Sequence, residues 1–180
     1  MWVAGIDVGL RKSVSAVIDG RKAVVFDDYR KLLDIDVSAV GIDAPLSFPE
    51  KGGFRECERK LLKMGIRLFP SGAGFLRRVG EKGMEIAEEF RRKGVEVYEV
   101  YPYATRTILD IAPEANKRSK DGLDVIKKRL HNFLIFDTEI ADHNQVDALI
   151  SALAVKLYLD GRGRIVDGID GAILIPEVKK

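Results

Sequence analysis

The run WVAGIDVGLRKSVSAVIDGRKAVVF, residues 2–26, decides the fold. Its opening, WVAGIDV at 2–8, is apolar and β-branched apart from one carboxylate, Asp7. A turn-like Gly9-Leu10-Arg11-Lys12 separates it from SVSAVI, and Asp19-Gly20 separates SVSAVI from KAVVF. An Asp-Gly pair between two β-rich runs is the strongest short-range hairpin signal. The chain is therefore expected to open as a three-stranded antiparallel meander.

Further along, SAVGID at 38–43 is a short strand that stops at Ala44-Pro45, since the residue before a proline disfavours helix. Residues 53–64 read as a helix ended by Gly65, and 80–93 as a charged helix closed by Gly94. The glycine-rich FPSGAG lies between them as a loop. VEVYEVY at 95–101 is the clearest late strand, stopped by Pro102, and 105–111 and 122–133 suggest helices. From Asn144 to Leu159, apolar Val146, Leu149, Ile150, Leu153, Ala154 and Leu157 recur at helical spacing, which predicts an amphipathic helix. The tail RIVDGIDGAILIP reads as a short strand pair. Meander, crossover strands and helices together predict one mixed α/β domain over residues 1–180, its mixed sheet covered by helices on both faces.

Composition narrows the classes. With 46% hydrophobic and 32% charged residues in 180, the chain can bury a real core, which excludes disorder and low-complexity architectures. A single cysteine, Cys57, excludes an internal disulfide or a cysteine-built zinc site, and Cys57 and Trp2 read as packing residues. No apolar stretch reaches membrane length and no basic-then-apolar leader opens the chain, so a cytoplasmic protein without membrane contact is expected. The net charge of +2 hides a division. Residues 50–93 carry a surplus of +5 and 117–129 a surplus of +4, leaving −7 for the rest. Such runs are usually solvated helix faces; their functional reading is a phosphate-rich partner.

Carboxylates inside apolar strands require explanation, because burying an unpaired charge costs several kcal/mol or raises its pKa. Asp7 lies in a strand that is apolar on both faces, although it would also serve as a turn cap before Gly9. Asp43 ends its strand at Ala44-Pro45, where an Asx turn is common but where α/β proteins also place ligands. Glu99 shares a face with Val95, Val97 and Tyr101, with a salt bridge to Arg106 as the plainer alternative. In DHNQVDAL, Asp142 suits a helix N-cap, while Asp147 lies one turn further in, with His143 on its face and Asn144 nearby. Carboxylates converging from separate elements, without cysteine and with little histidine, select hard cations. Two Mg²⁺ or Mn²⁺ ions so held would activate water at a phosphodiester.

Five segments carry a resemblance: GIDVG, GIDAPLSFP, FRECERKLLKMGIRLFPSG, YEVYPYATR and DHNQVDALISALA, with DGIDGAILIP at the tail. In this order they resemble the domain-of-unknown-function family 429, whose members are described as predicted nucleases of the ribonuclease H-like fold. The resemblance implies a ribonuclease H-like mixed five-stranded sheet in the order 3-2-1-4-5, with Asp7 on the central strand as the first metal ligand. Asp147-Ala148-Leu149 is similar to the terminal Asp-Ala-Leu of Holliday-junction resolvases, which often carry a second acid where this chain has Asn144. Asp142 or His143 then serves in its place, or the site has one ligand fewer. Either Asp43 or Glu99 is the middle ligand.

The expectation is a metal-dependent nuclease with Asp7, Asp43, Glu99 and Asp147 as catalytic carboxylates and Asp142 as a further metal ligand. Arg11, Lys12, Arg106, Lys117, Lys120 and His143 are the candidates for binding nucleic acid. VAGIDVGLRKS also resembles the first phosphate loop of actin-like ATPases and sugar kinases, with Ser13 as the hydroxyl. A third class is a non-catalytic nucleic-acid-binding module whose basic segments contact phosphates. In either nucleic-acid reading FPSGAGF offers Phe69 or Phe75 for base stacking, although a core or hinge role is commoner.

Overall fold

A computed structural model describes residues 1–136 and 139–178. The first three strands are β1 (Trp2–Asp7), β2 (Val14–Asp19) and β3 (Lys22–Phe26), paired antiparallel as a meander. Asp19 and Lys22 face each other, so Gly20 and Arg21 make the two-residue turn. Only Gly20 has positive φ there, as a type II′ hairpin requires. After a short 3-10 turn at Tyr29–Asp34 comes β4 (Val37–Asp43), and after two helices β5 (Glu96–Glu99). β4 lies parallel to β1 and β5 parallel to β4. The sheet order is β3-β2-β1-β4-β5, the 3-2-1-4-5 arrangement expected.

Helices α1 (Glu56–Lys63) and α2 (Gly74–Arg92) connect β4 to β5. The segment read as a glycine-rich loop is in part helix, because α2 starts six residues before the expected position. Two of the α2 glycines, Gly80 and Gly83, are packing residues. A Cβ at Gly80 would lie 2.6 Å from the Phe48 ring, and one at Gly83 would lie 2.6 Å from the Ala44 Cβ. Their absence of side chain lets α2 lie against the segment that follows β4, and this outweighs glycine's poor helix propensity. Next come α3 (Pro102–Leu109), with its proline at the first turn, and α4 (Lys120–Leu130), capped by Ser119. Pro102 thus both stops the strand and starts the helix.

Helix α5 (His143–Leu159) crosses the sheet on the face opposite α2. The sequence predicts an amphipathic helix here, but residues Val146 through Val155 are all buried. The hairpin β6 (Gly163–Gly168) and β7 (Gly171–Pro176), together with α3 and α4, covers the side turned away from the sheet. Among the described residues no helix is long and apolar enough to cross a membrane. Cys57 is buried, as expected, whereas Trp2 is 42% exposed at the start of β1 and is not a core residue.

Two glycines fix how close α5 comes. A Cβ at Gly5 would overlap the Ala148 carbonyl oxygen and the Ala152 nitrogen. One at Gly41, its in-register partner on β4, would lie 2.9 Å from the Ser151 carbonyl oxygen. The helix backbone therefore rests directly on the two central strands.

Candidate metal centre

Both central strands carry the tripeptide Gly-Ile-Asp, at 5–7 and 41–43. Side chains two apart share a face of a strand. The glycines that admit α5 therefore place Asp7 and Asp43 on the same face, against the first turns of that helix. The parallel register sets Asp7 beside Asp43. Asp147, on the second turn of α5, completes the set: carboxylate oxygens of Asp7, Asp43 and Asp147 all lie within 4.8 Å of one another. Ser151 Oγ donates to the Asp147 carbonyl at 2.8 Å and secures that turn.

Three carboxylates at this spacing cannot all ionise cheaply. Burial, and then the neighbouring Asp147, push Asp7 up to about 7, with Lys117 pulling the other way. Asp43 is driven well above the usual carboxylate range by burial and then by Asp147 and Asp7. Burial also raises Asp147, against the opposing pull of Lys117, whose ammonium donates to Asp147 Oδ2.

The structure places the remaining expected residues as follows. Glu99 sits opposite Ile42, not Asp43, so the pleat turns it toward the α2 side of the sheet. There Arg55 grips both of its oxygens, and the Leu46 N–H donates to it at 2.8 Å. Burial raises the Glu99 pKa, and Arg55 opposes the shift. Asp142 caps α5, accepting from the Asn144 and Gln145 N–H groups at 2.9 and 3.0 Å. Arg106 is buried and directed at the carbonyls of Ile111, Ala112 and Ala115, so it tethers the segment leading to Lys117. Lys117, Lys120 and His143 line a depression of about 430 Å³ beside Asp147. Arg11 and Lys12 line another of about 480 Å³ with Lys31 and Lys82. Lys12 Nζ lies 3.5 Å from Asp27, and Lys82 donates to the Gly9 carbonyl at 2.6 Å. Ser13 is buried, and its hydroxyl is directed at the Gly9 carbonyl, 3.3 Å away.

Sequence reasoning missed Arg55 and Glu58. Arg55 is 1% exposed and uses all its donor nitrogens on Glu58, Glu99 and Ser47. The signal is the Arg-x-x-Glu spacing at the start of α1, which a charge count alone reads as part of a basic segment. Arg55, Glu58 and Glu99 form one wall of a cleft of about 260 Å³ that has Asp7 and Asp43 on its floor. Its other wall is apolar: Leu68, Phe69, Leu76, Val79 and Tyr101. Phe69 and Phe75 form an edge-to-face pair with ring centroids 5.6 Å apart.

No protein-family model matches the chain, and no curated protein matches it. Among solved structures, the chain is similar to RuvC of Thermus thermophilus in complex with a Holliday-junction substrate. The TM-score is 0.57 at 17% identity, over 96% of this chain and 99% of that one. A second structure of Thermus thermophilus RuvC gives 0.51 at 16% identity, over the same shares of both chains. At this identity the likeness is one of fold, and the ribonuclease H-like architecture expected from sequence is the architecture observed.

Proposed function

We propose that Asp7, Asp43 and Asp147 hold Mg²⁺ or Mn²⁺ and that the chain is a metal-dependent nuclease acting on DNA or RNA. The observation that carries this reading is the convergence of three carboxylates within 4.8 Å of one another at one end of the sheet. Their pKa values are all raised, and among the described residues Lys117 is their direct ionic contact. An all-oxygen donor set with uncompensated negative charge fits a hard divalent cation. When bound there, such ions would lower the pKa of a water and polarise a phosphodiester. The likeness to a resolvase solved on a Holliday junction supports the same reaction class.

The chain's own groups then have separate tasks. The three aspartates must give up their shared protons on loading, so binding tightens as pH rises. Lys117 balances part of the charge at Asp147 and stands where the cleft meets the depression holding Lys120 and His143. Arg11, Lys12 and Lys120 supply exposed cations for flanking phosphates. Glu99 and Asp142 are supporting residues in this account: Glu99 anchors the cleft wall through Arg55, and Asp142 caps α5. The phosphate-loop alternative is not adopted, because the Ser13 hydroxyl is turned to the Gly9 carbonyl.

Comparing Asp43→Asn with Glu99→Gln tests the assignment. Calorimetry is expected to show Mn²⁺ binding in wild type and Glu99→Gln and none in Asp43→Asn. A panel of single-stranded, duplex and branched DNA and RNA should show metal-dependent cleavage that follows the same order. Mn²⁺ binding unchanged in Asp43→Asn would overturn the ligand set.

A further inference from the structure

The apolar wall of the acid cleft plays no part in holding a cation. Leu68, Phe69, Leu76 and Val79 face a floor of carboxylates, an arrangement that a purely ionic site would not need. Phe69 is 70% and Phe75 65% exposed, so neither belongs to the core. Phe69 lines the charged cleft and Phe75 packs edge-to-face against it, and two large rings so exposed form a surface that something flat and apolar would cover.

Local structure holds this wall in place. Phe69 precedes Pro70, and Ala73 N–H donates to the Pro70 carbonyl at 2.9 Å, closing a turn that leads into α2. Gly72 N–H donates to the Gly53 carbonyl at 3.0 Å, which ties the turn to the segment before α1. Ser71 N–H donates to Glu58 at 3.2 Å, which links the turn to the Arg55 wall across the cleft. Phe75, Val79 and Lys82 follow at i, i+4 and i+7 along α2, so one helix face runs from the aromatic pair past the cleft to the basic depression. Arg67 and Arg78, two residues before Phe69 and three after Phe75 in the chain, are both exposed and positively charged.

We propose that the wall formed by Leu68, Phe69, Leu76 and Val79, with Phe75 packed against Phe69, is a seat for one unpaired nucleobase, so that the substrate is a nucleic-acid strand with an unpaired nucleotide beside the scissile phosphate. This rests on the nuclease reading above and sharpens it from nucleic acid in general to single strands and locally unpaired duplexes. Four features support it. The wall is apolar and aromatic, which suits the face of any base. The floor is carboxylate, which suits a cation-bridged phosphate on the same nucleotide. The cleft is small, about 260 Å³, and has no room for a stacked duplex. The flanking charge is positive, which suits the neighbouring phosphates.

The test uses three labelled DNA oligonucleotides and their RNA counterparts: a single strand, a blunt duplex, and the same duplex with one bulged 2-aminopurine. Binding is read by anisotropy with Ca²⁺ present, and base stacking by 2-aminopurine fluorescence. The single strand and the bulged duplex are expected to bind about tenfold or more tightly than the blunt duplex, with quenching of 2-aminopurine. Phe69→Ala should bring the bulged-to-blunt preference close to one, while Phe69→Trp should retain it. Loss of one base–aromatic stack corresponds to roughly five- to hundredfold in affinity. Equal binding of blunt and bulged duplexes by wild type, or an undiminished preference in Phe69→Ala, would overturn the nucleobase seat and leave the metal centre standing. If none of the oligonucleotides binds while Mn²⁺ calorimetry succeeds, the nuclease reading itself fails, and the seat with it.

Discussion

Asp7 has a folded-state pKa of about 7 against an ordinary 3.8, raised first by burial and then by Asp147. A group raised in this way contributes stability that is fully present below its unfolded pKa and is lost as pH rises through the folded one. The thermal midpoint of the metal-free protein should therefore fall between about pH 4 and about pH 7. Asp7→Asn should flatten that fall and raise the midpoint above pH 7 while removing Mn²⁺ binding. Thermal scans in chelator from pH 4 to 8 check this, and an unchanged slope in the variant would contradict it. Sites built for charge are often strained in this direction, and a bound cation relieves the strain. At this scale Asp7, Asp43 and Asp147 were legible as carboxylates lodged in apolar runs. Which of Asp43 and Glu99 lies beside Asp7 and Asp147 was not, because it depends on a cross-strand register that sets Glu99 beside Ile42. For Arg55 the Arg-x-x-Glu spacing signals the pairing with Glu58, but its grip on Glu99, 44 residues away on another element, was not legible.

Helix α5 and the paired Gly-Ile-Asp strands determine whether the site exists. The repeat at 5–7 and 41–43 stands in plain view in the sequence, but its meaning comes from the parallel pairing of β1 with β4. Gly5→Ala should force α5 outward, since the new methyl would meet the backbone of Ala148 and Ala152. Overpacking of this kind costs on the order of 3 kcal/mol, measurable by urea denaturation, and should weaken Mn²⁺ binding by displacing Asp147. Gly74→Ala, at the exposed start of α2 with nothing within 4 Å, should be neutral or slightly stabilising. A large loss at Gly74 with none at Gly5 would refute this packing argument. The helical period of α5 was readable, but its environment was not: an apolar stripe looks amphipathic until a hairpin and two helices cover the remaining side. In α2 the helix at 80–93 was legible, but the role of Gly80 and Gly83 was not, because the packing that requires them lies on the distant Ala44–Phe48 segment.

For the molecule as a whole, the net charge of +2 resolves into a cleft lined by Asp7 and Asp43 and two depressions of mixed charge, one with Arg11, Lys12 and Lys82 beside Asp27 and Asp28 and one with Lys117 and Lys120 beside Asp124 and Asp142. A polyanion could cross such a surface where Lys117 partly neutralises Asp147 and cations stand beside the carboxylates of the depressions. The meander, the sheet order and the helical layers were legible from the strand pattern and hairpin chemistry together with the resemblance. The cleft was not, because its walls come from four separate stretches of chain. Whether Asp7, Asp43 and Asp147 share a cation is read most directly from a crystal soaked in Mn²⁺ and measured for anomalous scattering. An anomalous peak in contact with all three carboxylates, and with neither Glu99 nor Asp142, is expected. Full Mn²⁺ occupancy elsewhere, with the three aspartates bare and Lys117 still on Asp147, would contradict it.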